Sequence, residues 1–272
     1  MLKNTLSSIS NCSVHGGAMI GIWDKLQRHQ TDFCIAQEFQ IFYMSKQWDK
    51  AQTVLDLGTG NGYYLRKIAA CFPDKQYYGI DISPELIQIA MKETTIKNIS
   101  YSCCDPFDVD GLYDFVIMRL FLQHQTEVDA VLDKIATRTR KGGSVLVIDA
   151  ADDGRLYYPD IPKFMRFFRA YIEHQEQRGL SRTVKSRLNS WVKKYPDWEI
   201  GNSFEIVIPS NIPGNMDLFR KTYGLFIDLV EKVGDMQYDF NAVRKEWEWW
   251  CSLEHGYTQA GLNIIRIDHI KV

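Results

Sequence analysis

Residues 54–65 read VLDLGTGNGYYL. An apolar run of strand character ends in Gly58, Gly60 and Gly62, at every second position. Glycine lacks a Cβ, so it reaches left-handed backbone conformations and lets other groups approach the chain closely. Glycines this dense after a strand mark a sharp turn, and in open α/β sheets the carboxyl ends of strands are where ligands sit. The dinucleotide pattern G-x-G-x-x-G, with an acid about 20 residues on, fits Gly58, Gly60 and Asp81. It fails at Tyr63, which stands where the third glycine belongs. The stretch follows the logic of a nucleoside-binding βαβ unit without the phosphate cradle.

Outward from this turn, strand and helix patterns alternate. TVLDL (53–57) is followed by Leu65, Ile68, Ala69 and Phe72 at helical spacing. Pro73 and Asp74 break the chain before YYGI (77–80). Ser83 and Pro84 form an N-cap and first-turn pair, and Ile87, Ala90, Met91 and Thr94 mark a helical face. ISYSC (99–103) is a third short strand, and YDFVIM (113–118) reads as a strand buried on both faces. Val128, Val131, Leu132, Ile135 and Ala136 predict a helix ending at RKGG (140–143), before a fifth strand SVLVIDA (144–150). Five strands separated by helices predict a doubly wound, mostly parallel sheet.

The flanks read differently. FCIAQEFQIFYM (33–44) predicts a helix with Phe33, Gln37 and Ile41 on one side. Phe164, Phe167, Phe168, Tyr171 and Ile172 share a helical face, which reads as helix core rather than a binding cage. FEIVIP (204–209) has strand character, 218–233 and 239–255 read as helices, and GLNIIRIDHIKV (261–272) alternates as a strand. The span after residue 150 is too long for a simple crossover. The domain plan is therefore an N-terminal helical lid (1–50), a core (51–150), a helical cap inserted after strand five (151–215), and a return to the core (216–272).

The 272 residues, 45% apolar and 24% charged, suffice for a sizeable buried core. A net charge of −2 argues against a general polyanion binder, so no nucleic-acid partner is expected. The six cysteines form no C-x-x-C pair and no zinc-type spacing, so no metal is expected and free thiols in a reducing, cytoplasmic setting are the reading. The N-terminus shows no basic start leading into an apolar signal core, and no run approaches the roughly 18 apolar residues of a membrane span. The basic run Arg178, Arg182, Lys185, Arg187, Lys193 and Lys194 reads as a solvated face, with an anionic-substrate contact as its other reading. Trp249, off its helix's apolar face, is expected at the surface.

DLGTGNG (56–62) resembles, in full, motif I of the class I S-adenosylmethionine-dependent methyltransferases, D/E-x-G-x-G-x-G. YYGIDIS (77–83), CCDPFD (103–108) and YDFVIMRLFLQH (113–124), the last followed by a helix and KGGSVLVID (141–149), resemble the later segments of the same fold in the same order. Lys141 stands where that family usually has proline. The resemblance covers roughly residues 50–150 and implies a seven-stranded, Rossmann-like sheet with S-adenosylmethionine as cofactor.

It also implies roles. Gly58, Thr59, Gly60, Asn61 and Gly62 would floor the cofactor site, and Asp56 would help hold the methionine ammonium. Asp81 would accept the ribose hydroxyls, Ile82 and Pro106 would sandwich the adenine, and Asp105 would accept its amine. Arg119 would touch cofactor or substrate, unless it serves an internal ion pair. His124, after the fourth strand, is the candidate general base, with packing or capping as its other reading; His174 and His255 are weaker candidates.

The Asn/Asp-Pro-Pro-Tyr/Phe signature of amino-methylating nucleic-acid and glutamine methyltransferases is replaced by MRLFLQ (118–123). Cys103 and Cys104 lack the third cysteine of an arsenite-methylating site. The lid and cap resemble those of small-molecule methyltransferases, which implies O- or N-methylation of a small acceptor. A cofactor-binding partner or sensor without transfer activity and an NAD-dependent oxidoreductase are the alternatives, and a homodimer stays open.

Overall fold

A computed structural model describes residues 16–180 and 182–270. Residues 1–15 of the expected lid, Cys12 among them, and residues 271–272 of the expected last strand lie outside the described residues. The chain divides into two compact units. One comprises Ile35–Ala151, Ser181–Ile206 and Leu262–Val272; the other comprises Met1–Cys34, Asp152–Leu180 and Val207–Gly261.

The first unit is built on β1 (Thr53–Leu57), β2 (Gln76–Asp81), β3 (Ile99–Cys103) and β4 (Tyr113–Arg119). β5 (Thr139–Tyr158), β6 (Trp198–Pro209) and β7 (Tyr257–His269) are shared between the units. The seven-stranded sheet has the order β3-β2-β1-β4-β5-β7-β6. Parallel registers join β3 to β2, β2 to β1, β1 to β4 and β4 to β5. β7 runs the other way: Ile270 pairs with Asp197 and Thr258 with Ser210 at opposite ends of β6. The β-branched and aliphatic centres of β1, β4 and β5 (Val54, Val116, Ile117, Val145, Ile148) are fully buried, as a sheet covered on both faces requires. The strand order reverses between β1 and β4, so the crevice at their carboxyl ends is the topological switch point.

Helices α1 (Gly16–Tyr43) and α2 (Lys46–Lys50) precede β1. The buried side of α1 takes in Cys34, Glu38 and Phe42 besides Phe33 and Ile41, so an acid sits in the apolar stripe. α3 (Tyr63–Cys71) starts from Gly62, and α4 (Pro84–Glu93) starts from Ser83, whose hydroxyl accepts from Leu86 N at 3.3 Å. α5 (Val128–Ala136) stops earlier than RKGG. Those four residues already lie in β5, where a register irregularity opposite Tyr113 and Phe115 and a left-handed Gly142 absorb them. Helix α7 (Val184–Val192) packs Val184, Leu188 and Trp191 into the cluster that holds Val128 and Leu132. Trp191 Nε1 donates to Asp133 at 2.7 Å, and Lys194 pairs with Asp129.

The span 151–215 is not helical throughout. β5 continues to Tyr158 and β6 fills Trp198–Pro209, leaving α6 (Pro162–Gln177) and α7 between them. α8 (Asn215–Val233) and α9 (Phe240–Cys251) follow. In the second unit α6, α8 and α9 surround an aromatic core. Phe164 stacks on Trp247 at 4.9 Å and Trp247 on Trp250 at 5.3 Å, with Tyr157 edge-on to both tryptophans. Trp249 is half-exposed, as its position off the apolar face predicts. Among the described residues no helix is long and apolar enough to cross a membrane.

Trp250 is fully buried and touches the ring cluster from α9. Replacing it by alanine should destabilise the fold by about 3–5 kcal/mol, through lost contacts and the cavity left behind. The midpoint of urea denaturation should fall accordingly; an unchanged midpoint would place the stability of this unit elsewhere.

Candidate functional site

The stretch 54–65 turns sharply. Gly58, Gly60 and Gly62 have φ of +79°, +56° and +68°. A side chain at Gly58 would place Cβ 2.4 Å from the Phe121 ring, and one at Gly62 would sit 2.5 Å from Tyr101 Oη. The turn's amides are spent inside the fold. Gly58 N and Thr59 N both donate to Ile80 O at 2.9 Å, and Gly62 N donates to Thr59 O at 3.0 Å. Gly60 N donates to the Asp81 carboxylate at 2.9 Å.

Asp81 ends β2 and bridges two backbones. Its second oxygen accepts from Ser83 N at 2.9 Å, fixing the start of α4. Burial raises its pKa, against the pull of those amide bonds. Asp56, at the end of β1, is 2% exposed and accepts from Thr59 Oγ1 at 2.6 Å. Burial pushes its carboxyl up to about 6, opposed by the Thr59 bond and the Arg119 charge. Asp105 lies two residues past Cys103, the register partner of Asp81, and Cys104 N donates to Asp81 O. Its carboxylate accepts from Phe107 N at 2.9 Å and caps the short turn Pro106–Asp108. Pro106 is buried, and Ile82 is partly exposed. The sites expected at the ends of β1, β2, β3 and β4 therefore meet along one edge of the sheet.

Arg119, ending β4, takes the ion-pair reading. Its Nε lies 3.0 Å from both oxygens of Glu38, which is fully buried, and its guanidinium lies 4.5 Å from the centre of the Tyr64 ring. Burial raises the Glu38 carboxyl against the pull of Arg119. Glu38 and Tyr64 were not among the expected site residues. The one available signal was an acid standing in the apolar stripe of α1. The next residue, Leu120, has φ of +50°, a strained value for a branched side chain, and Phe121 follows to cover Gly58.

His124 is half-buried, and its Nε2 lies 3.3 Å from the Gln123 amide nitrogen. The amide can only donate, so the ring accepts there and carries its proton on Nδ1. Burial, then Arg182, lowers its pKa to about 4. A neutral imidazole with so low a pKa is a weak base. Gln123 N donates in turn to buried Asp149 at 3.1 Å. The weaker candidates lie elsewhere: His174 sits 3.4 Å from Asp235 and His255 is exposed. No group of three or more metal-ligating side chains is present among the described residues.

This donor set suits a nucleoside without phosphates. Four amides of the turn already have partners within the fold, so they do not form a pyrophosphate cradle. What the edge offers instead is acceptors: Asp81, bonded through backbone amides, keeps lone pairs suited to a ribose diol, and Asp56 supplies a second buried carboxylate. The residues fit S-adenosylmethionine better than a dinucleotide.

Asp56 also couples the site to pH. Its folded pKa of about 6 stands above the ordinary 3.8, so the folded chain binds the extra proton between those values. Stability then falls as pH rises through that window and stays reduced above it. Asp56→Asn, assayed without ligand by urea denaturation, should gain on the order of 3 kcal/mol over wild type at pH 8 and little near pH 4. Equal stability differences at both pH values would remove the buried charge from the account.

The methyltransferase-domain family matches residues 48–222. A malonyl-[acyl-carrier protein] O-methyltransferase of Bacillus cytotoxicus is 27% identical over 206 residues, 74% of this chain and 64% of that protein. A ubiquinone/menaquinone biosynthesis C-methyltransferase UbiE of Desulfotalea psychrophila is 26% identical over 137 residues, 48% of this chain and 55% of that protein. The alignments thus span under two thirds of these relatives' lengths. The plantazolicin methyltransferase BpumL, solved with S-adenosylhomocysteine, superposes with a TM-score of 0.55 at 16% identity, covering 98% of this chain and 94% of that one. By its family match the chain belongs to the methyltransferase-domain family, and its 3-2-1-4-5-7-6 sheet has the Rossmann-like methyltransferase fold.

Proposed function

We propose that the chain methylates an oxygen or nitrogen of a small-molecule acceptor by in-line displacement at the carboxyl ends of β1 and β4. The observation that carries this reading is the turn whose amides are satisfied internally while Asp56 and Asp81 present acceptors beside it. When bound, S-adenosylmethionine supplies an electrophilic methyl on a sulfonium. Asp81 would hold the ribose hydroxyls, and Asp56 would stabilise the methionine ammonium. Asp105, Ile82 and Pro106 would surround the adenine. Gly58 to Gly62 would give the ligand close approach to the backbone.

The rest of the work is positioning and exclusion of water. Phe121 covers the glycine turn from the β4 side, and the Glu38–Arg119 pair ties α1 to the end of β4. His124, neutral and bonded to Gln123, anchors the segment after β4 rather than taking a proton. An acceptor that already presents a lone pair at neutral pH suits such a site. The relatives named above act on oxygen and on carbon, so the acceptor atom here does not come from them.

Two measurements test this. Asp81→Ala should weaken S-adenosylhomocysteine binding by roughly 1–3 kcal/mol in calorimetry, as its hydrogen bonds are lost. Wild-type chain that binds NAD tightly and ignores S-adenosylhomocysteine would overturn the reading. For the second, His124→Asn should keep kcat within about tenfold and leave its pH profile without a new limb, because loss of a true base costs about 100-fold or more. A larger loss would return His124 to the chemistry.

A further inference from the structure

Among the described residues, those with positive φ are eight glycines and Leu120, at +50°. A leucine in that region crowds its Cβ against the backbone, at a cost that the surrounding structure must meet. Strain held in place beside a ligand site points to a use for the geometry it enforces.

The reversal at Leu120 is fixed from both sides. Before it, Arg119 is held by buried Glu38 at 3.0 Å. Leu120 N still pairs with β5, donating to Ile148 O at 2.7 Å. After it, fully buried Leu122 opens the short turn Leu122–His124, and Gln123 N donates to Asp149 at 3.1 Å. Phe121 is the residue between these anchors. Its ring lies where a Cβ at Gly58 would be, packs on the core cluster that includes Leu122, and stays half-buried. A plain turn would place glycine at 120, as the chain does at every other such position among the described residues. Leucine narrows the freedom of the turn and holds the ring on Gly58.

All of these residues belong to the first unit. Strand order decides which part of a ligand the ring would meet. Asp105 and Pro106 follow β3 and Asp81 ends β2, whereas Asp56 ends β1, and β4 lies on the other side of β1. Adenine and ribose would therefore lie toward β3 and β2, and the amino-acid arm toward β1 and β4. We propose that Phe121 is the wall on which the amino-acid arm of S-adenosylmethionine rests, and that Leu120 is a positioning residue whose strained backbone keeps this wall against Gly58. The assignment rests on the cofactor reading above. A fixed wall limits the orientations that the arm, and with it the sulfonium, can take.

The test uses the full chain, with calorimetry on S-adenosylhomocysteine and on 5′-methylthioadenosine, which lacks the amino-acid arm, and urea denaturation without ligand. Phe121→Ala should weaken S-adenosylhomocysteine binding by about tenfold, the worth of a lost apolar ring contact, and 5′-methylthioadenosine binding by no more than about twofold. Equal losses on both ligands, or no loss on either, would overturn the wall. Leu120→Gly and Leu120→Ala cover the case of a poorly folding Phe121 variant. Only glycine escapes the left-handed penalty, so Leu120→Gly should unfold at higher urea than Leu120→Ala. It should nonetheless bind S-adenosylhomocysteine about fivefold more weakly than Leu120→Ala, because its turn is free to move the ring. A role in folding alone would make affinity follow stability. Tighter or equal binding by the glycine variant, or a higher urea midpoint for the alanine variant, would overturn the positioning role. Wild-type chain that binds neither nucleoside would sink the cofactor reading and the wall with it; wild-type binding with unaltered affinity in Phe121→Ala would sink only the wall.

Discussion

Three left-handed residues within five positions constrain everything around them. Gly58, Gly60 and Gly62 bend the chain so tightly that its amides turn inward, onto Ile80 O, Thr59 O and the Asp81 carboxylate. That one arrangement pins the end of β1 to the end of β2 and launches α3. It also seats the rings of Phe121 and Tyr101 where side chains at Gly58 and Gly62 would otherwise be. Asp81 completes it by holding the glycine turn with one oxygen and the start of α4 with the other. The same economy of amides determines ligand class. A loop that has used its donors cannot grip a pyrophosphate, whereas carboxylates at its rim can receive hydroxyls and an ammonium.

Carboxylates kept this dry are expensive, and the molecule handles each differently. Asp56 is left with a hydroxyl partner and a raised pKa, which suits a group meant to meet a cationic ligand. Glu38 is compensated within the fold: both of its oxygens face Arg119 Nε, and Tyr64 packs against the guanidinium. Removing either member of such a pair typically costs about 3–5 kcal/mol, because the survivor stays buried and unpaired. The pair therefore acts as a fastener between α1 and β4 more than as a source of net stability.

Much of this was open to a reader of the sequence, and the exceptions have physical causes. The central strands were visible because a sheet covered on both faces needs continuous apolar runs, and the glycine turn because only glycine tolerates those φ values. The helix end placed at RKGG was missed because a bulge uses glycine and basic residues as readily as a C-cap does. The continuation of β5 through ADDGRLYY was hidden because its polar residues follow no period of two. Glu38 escaped notice since its partner lies 81 residues away, and nothing local marks an acid as half of a buried pair. The pairing of Asp105 with Phe107 N shows the opposite limit. A residue type at the right place predicts a contact and leaves open which neighbour receives it.

Arg119 and Arg155 show two ways in which a guanidinium taken from water is compensated. At Arg119 the Nε donor is met by a carboxylate with no exposure at all, so charge and hydrogen bond are satisfied together. At Arg155 the same atom has no partner, Asp152 supplies the counter-charge at 3.2 Å, and the phenol oxygens of Tyr157 and Tyr223 accept from Nη1. Aromatic faces soften the cost of burying the cation, since their quadrupoles attract it, but they cannot accept the Nε–H bond a carboxylate would. A core built only for stability would have replaced such a group with an apolar one of similar volume. Arg155 instead ties β5 to α8 through the Tyr223 hydroxyl, with Asp152 as its counter-charge and one unsatisfied donor as the cost.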